Sequence, residues 1–88
     1  MEVSQMENKD DRDLTVCETL RTMGLDFDRD NNGFITVDGD RWLAWWFEEE
    51  PDVIRLTFSK TVRVDYAADM AIRFARPLQA AGFSVVVS

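Results

Sequence analysis

The sequence predicts a single small α+β domain in the order α-β-β-β-α-β, with a mostly antiparallel sheet packed by two helices. Three stretches carry this expectation. Gly33–Phe47 sets Asp38-Gly39 between two apolar runs, a strong hairpin signal because both residues tolerate positive φ. Val53–Ser59 alternates apolar and polar residues. Asp65–Ala81 repeats apolar residues at helical spacing and leads into Phe83–Val87, FSVVV, which suits a strand.

Residues 1–10 read as a flexible acidic tail, and residues 11–88 as the domain. Asp11–Met23 reads as a helix, with Asp13 as N-cap and Leu14, Cys17, Leu20 and Met23 as its apolar stripe. Gly24 suits the left-handed residue that ends a helix. Leu25–Asn32, LDFDRDNN, reads as a polar turn into the first strand.

A two-residue loop at Asp38-Gly39 pairs Val37 with Asp40, Thr36 with Arg41, Ile35 with Trp42 and Phe34 with Leu43. One face then carries Ile35, Val37, Trp42, Ala44 and Trp46; the other carries Phe34, Leu43, Trp45 and Phe47. Both are apolar, so one covers a core and the other meets a helix or a partner. A helix over Arg41–Glu49 is the rival for this stretch. It would crowd Glu48, Glu49 and Glu50 at a C-terminus, where the helix dipole disfavours negative charge, and tryptophan and phenylalanine favour the strand.

Glu48–Asp52 makes a second turn, with Pro51 setting its φ. In the next strand Ile54, Leu56 and Phe58 share a face; Lys60 interrupts it, and Val62 and Val64 resume it. Asp65 is the expected N-cap of a helix over Tyr66–Ala81, whose face is Ala67, Met70, Ala71, Phe74, Leu78 and Ala81. Pro77 removes one backbone hydrogen bond and is expected to kink or split it. Gly82 ends the helix before the closing strand, which is expected to lie between neighbours or at an edge.

Eighty-eight residues, 45% of them apolar, suffice for one core. No apolar run approaches the ~18 residues of a membrane span, and MEVSQMENKDDRD lacks the basic start and apolar stretch of a secretory signal. Cys17 is the lone cysteine, which excludes an internal disulfide and suits a reducing cytoplasm. The net charge of −7 is uneven: residues 1–52 hold 15 acids and 5 bases, residues 53–88 hold 2 acids and 5 bases. The acidic half gives no reason for direct nucleic-acid binding, and suits a basic surface instead.

The motif Asp28-Arg29-Asp30-Asn31-Asn32-Gly33-Phe34-Ile35-Thr36 resembles the first nine residues of an EF-hand calcium loop. The resemblance implies side-chain ligands from Asp28, Asp30 and Asn32, a sharp turn at Gly33 and a carbonyl ligand from Phe34. It stops there: the twelfth position, a bidentate Glu in the family, is Gly39, and a hairpin follows where an EF-hand continues into a helix.

In a meander, the turns before the first strand and after the second lie at one end of the sheet. That end is expected to gather Asp26, Asp28, Asp30, Glu48, Glu49, Glu50 and Asp52 as an acidic rim able to imitate phosphates to a basic partner. Trp42, Trp45 and Trp46 are expected to supply anchors, since tryptophan is enriched at interface hot spots. The absence of histidine excludes imidazole bases, serine triads and His-ligated metals, and Cys17 has no local base to activate it. The expected function is therefore a non-enzymatic cytoplasmic binding protein that inhibits or modulates a partner by occupying its basic surface. Phage anti-defence proteins such as anti-CRISPRs, and toxin immunity proteins, are analogous in size and charge. The alternatives are a calcium module at residues 28–36 and a subunit of a homo-oligomer, a homodimer being the simplest.

Overall fold

The computed structural model describes the backbone of residues 3–88 and side chains from Arg12 onward. The elements are α1 (Val3–Thr22), β1 (Phe27–Arg29), β2 (Ile35–Val37), β3 (Trp42–Trp45), β4 (Val53–Phe58), α2 (Val64–Ala80) and β5 (Ser84–Val87). The five strands lie in sequence order, β1-β2-β3-β4-β5. The first four form an antiparallel meander, and β5 joins β4 in parallel after the α2 crossover. The fold is α+β with a mixed sheet and two helices, as expected, but four strands precede α2 where three were expected.

The added strand is β1, inside the stretch read as a polar turn. Phe27 pairs with Val37, Asp28 with Thr36 and Arg29 with Ile35. As a short edge strand with one apolar residue, it gives almost no alternation to read. Helix α1 starts at Val3, ahead of the Asp11 start expected for it. The flexible tail expected over residues 1–10 falls on residues that lie outside the described set, wholly for 1–2 and in their side chains for 3–10.

The hairpin forms, with a different register. Val37 pairs with Trp42, Thr36 with Leu43 and Ile35 with Ala44, so the loop is Asp38–Arg41 and not Asp38-Gly39 alone. Asp38, Gly39 and Asp40 all have positive φ, at 55°, 66° and 68°. They make one left-handed turn closed by the Arg41 N–H donating to the Val37 carbonyl at 3.1 Å. The pairing differs from expectation by two residues. Side chains alternate with a period of two, so every residue keeps its expected face.

One face is the core. Ile35, Val37, Trp42, Ala44, Ile54 and Leu56 from the sheet meet Val16 and Leu20 of α1 and Met70, Phe74 and Leu78 of α2. Trp42 contacts Phe74 edge-on at 5.2 Å and Phe58 at 5.4 Å. The α1 stripe is Arg12, Val16, Thr19 and Leu20, while the expected Leu14 is 52% exposed. Steps of three residues precess around a helix with 3.6 residues per turn, so Leu14 and Leu20 diverge where Val16 and Leu20 align.

Helix α2 runs unbroken through Pro77, the Ala81 N–H reaching back to the Pro77 carbonyl at 3.1 Å. Asp65 lies in its first turn and Arg63 is the N-cap residue. β4 ends at Phe58, and Val64 starts the helix fully out in solvent at 86% exposure, so the apolar face does not resume there. Asp38 ties the hairpin to α2 by accepting a hydrogen bond from the Tyr66 hydroxyl.

Candidate protein-binding surface

Both helices cover the same side of the sheet, and the other side is open. Strand parity places Asp28, Thr36, Leu43, Trp45, Arg55, Thr57 and Val86 on that open side. Its centre is aromatic. Trp45 lies 5.9 Å from Phe34 and meets Phe47 edge-on at 5.1 Å. Phe34 and Phe47 are 37% and 45% exposed. The Trp45 indole N–H donates to Thr57 Oγ1 at 3.0 Å, which fixes the ring while leaving its face partly open.

Arg55 organises the border between aromatics and acids. Its guanidinium lies 5.8 Å from the Trp45 ring and 5.4 Å from the Phe47 ring. Its Nη2 donates to both carboxylate oxygens of Glu50, at 3.0 and 3.2 Å. In the sequence Arg55 reads only as the polar face of an alternating strand. Continuing the hairpin parity into β4 is the signal that pairs it with Trp45.

The expected acidic rim is divided. Asp30, Glu48, Glu49, Glu50 and Asp52 sit on the two turns at one end of the sheet. A cleft of about 390 Å³ at that end is lined by Asp13, Arg29, Asn32, Gly33, Phe34, Trp46 and Glu48. Asp28 projects from the middle of β1 on the open side. Asp26 lies at the opposite end, where its carbonyl accepts the Asp38 N–H at 2.8 Å and it shares a hollow with Gly39 and Asp40. The strand that β1 forms is what separates Asp26 from the rest.

The tryptophans also divide. Trp45 is the half-buried member of the open cluster. Trp42 is 1% exposed within the core, so it is not available as an anchor: its parity matches Ile35 and Val37 on the helix-covered side. Trp46 is half-buried on the helix side beneath Arg12, whose guanidinium lies 5.0 Å from its ring. Arg12, 2% exposed, donates through Nη1 to the carbonyls of Glu50 and Val53 at 2.6 and 3.3 Å. Burial lowers its pKa, and the nearby charges of Glu48 and Asp52 oppose that shift. This buried cation pins the acidic turn to α1. Arg29 bridges from β1 to Asp13 of α1, and that hydrogen bond raises the pKa of its guanidinium.

In the EF-like stretch, the Asp28 carboxylate accepts the Arg29 N–H at 2.9 Å. Asp30 turns its carboxylate into its own loop, accepting the N–H groups of Asn32 and Phe34, each at 2.9 Å. The Phe34 carbonyl accepts the Asp30 N–H at 2.9 Å. The stretch is thus the loop of the β1–β2 hairpin. Among the described residues, no three acidic or thiol side chains gather as a metal centre would require. No helix among the described residues is long and apolar enough to cross a membrane.

Comparison with protein-family models, with curated proteins and with solved structures finds no match to this chain.

Proposed function

We propose that this chain is a non-enzymatic, cytoplasmic protein that inhibits or modulates a partner protein by covering a basic surface on it. One observation supports this reading above the others: Phe34, Trp45 and Phe47 form an aromatic cluster on the side of the sheet that no helix covers. Large apolar patches edged by charge mark interaction surfaces, and tryptophan anchors carry much of their energy. The turns beside the cluster carry Asp30, Glu48, Glu49 and Asp52. These charges steer a cationic partner toward it and compete with nucleic acid for the same site. The lack of histidine in the sequence removes the commonest acid–base and nucleophile-activating group, which fits a binding role.

A photo-crosslinking residue in place of Phe47, with another in place of the exposed Lys60 as control, tests this reading in cells of the native host. Support is a single defined partner captured from Phe47 alone, released by high salt or by added nucleic acid, and lost with Trp45→Ala. Equal capture from both positions, or capture indifferent to salt and to Trp45→Ala, removes it.

Calcium binding at Asp28, Asp30, Asn32 and Phe34 is tested by amide-resolved NMR titration with magnesium as control. Asp30 is already engaged by the N–H groups of Asn32 and Phe34. The expected outcome is no saturable shift over residues 28–35 at millimolar calcium; selective, saturable shifts there would reinstate the metal reading.

A further inference from the structure

The two edges of the sheet are built differently. β1 carries Asp28 and Arg29 and is flanked by Asp26 and Asp30, charges that discourage a further strand. β5 is Ser84-Val85-Val86-Val87, with no charge and no proline to protect it. Its ladder with β4 uses alternate residues. The Ser84 N–H donates to the Asp52 carbonyl at 2.7 Å and the Ser88 N–H to the Leu56 carbonyl at 2.9 Å. In a parallel ladder the N–H and C=O of one residue point the same way, and successive residues point opposite ways. The backbone groups of Val85 and Val87 therefore face outward, away from β4.

The same two valines line a groove between this edge and α2, with Ile72, Ala75, Arg76 and Gln79 on its other wall. Ile72 is 53% and Val87 54% exposed. The small side chain of Ala75 keeps the groove open. Among the described residues, its one charged lining residue is Arg76. Arg29, Arg41, Arg55, Arg63 and Arg73 each hold a carboxylate, whereas Arg76 has no ion-pair partner among the described residues. Free backbone donors and acceptors, an apolar trough and an unpaired cation thus meet along one strand.

We propose that this edge takes an extended acidic segment of a partner protein as a sixth strand of the sheet. The segment hydrogen-bonds the outward backbone groups of Val85 and Val87, lays an apolar side chain against Ile72 and Val87, and sets a carboxylate at Arg76. This surface is separate from the aromatic cluster, and the inference stands without it.

The test is amide NMR of the full chain with blocked six-residue peptides. These alternate threonine with valine, isoleucine, leucine or phenylalanine and carry one glutamate; the controls carry lysine instead. The expected result is saturable shifts at Ile72, Val85 and Val87, with slowed hydrogen exchange at the Val85 and Val87 amides, for glutamate peptides only. Arg76→Glu, an exposed change, weakens them roughly tenfold, equivalent to about 1.4 kcal/mol. Val87→Pro removes an N–H that β4 does not use, and weakens them likewise. Three results overturn the proposal: no saturable shift at these amides with any peptide at millimolar concentration, equal binding of the lysine peptides, or the same shifts on raising protein concentration alone. The last would give the edge to a second copy of the chain.

Discussion

Trp42 and Trp45 are three positions apart on one strand and do opposite things. Odd separation along a strand puts them on opposite faces, Trp42 into the core and Trp45 onto the open side. Trp42→Ala leaves a cavity under both Phe58 and Phe74, and the expected loss is about 3–5 kcal/mol in a urea denaturation. Trp45→Ala, at a half-buried site, is expected to cost less than half of that while abolishing partner capture. Tyr66 supplies a pH signature. Burial, and then its hydrogen bond to Asp38, raise its pKa above the ordinary 10.0, because both favour the neutral phenol in the folded chain. A group whose folded pKa is raised contributes stability that is complete below its unfolded value and is lost as pH climbs through its folded value. Stability set against pH should therefore fall above about pH 10 in the parent, and fall less steeply in Tyr66→Phe.

At the scale of elements, legibility follows how many residues vote for a period. β4 shows a clean alternation over six residues, and Ile54 and Leu56 are buried where the pattern puts them. The faces of the β2–β3 hairpin are readable although its register is not. The loop takes Asp40 as a third residue with positive φ, and its first residue, Asp38, accepts a hydrogen bond from Tyr66 of a distant helix, a contact that local sequence does not show. β1 is unreadable because three residues at an edge, one of them apolar, carry no period. In α1 the buried Arg12 hides the true stripe, since a charged residue does not register as a core position until its carbonyl partners at Glu50 and Val53 are known. The candidate surface is half legible for the same reason: Trp45 and Phe47 follow from parity, whereas Arg55 and its bond to Glu50 need the third strand in place. Pro77 is an exposed helix-interior residue that α2 absorbs without breaking. Pro77→Ala restores an N–H for the Arg73 carbonyl and should raise stability by about 1–3 kcal/mol, read as an upward shift of the urea midpoint.

At the scale of the molecule, all helical cover is spent on one side of the sheet, where α1 and α2 bury a single core. The other side keeps its aromatics half in water, bordered by acids from the stretch that carries nearly all the negative charge. Residues 53–88 hold only 2 acids against 5 bases, and the unprotected β5 edge lies there. The proposed binding surface requires the side of the sheet away from the helices to be open in the monomer. Acrylamide quenching of single-tryptophan versions, the other two tryptophans changed to phenylalanine and the monomer verified by ultracentrifugation, measures this most directly. Trp42 is expected to be shielded and Trp45 to be several-fold more quenchable. Trp45 as shielded as Trp42 would mean that this side is covered, and would contradict the proposed surface.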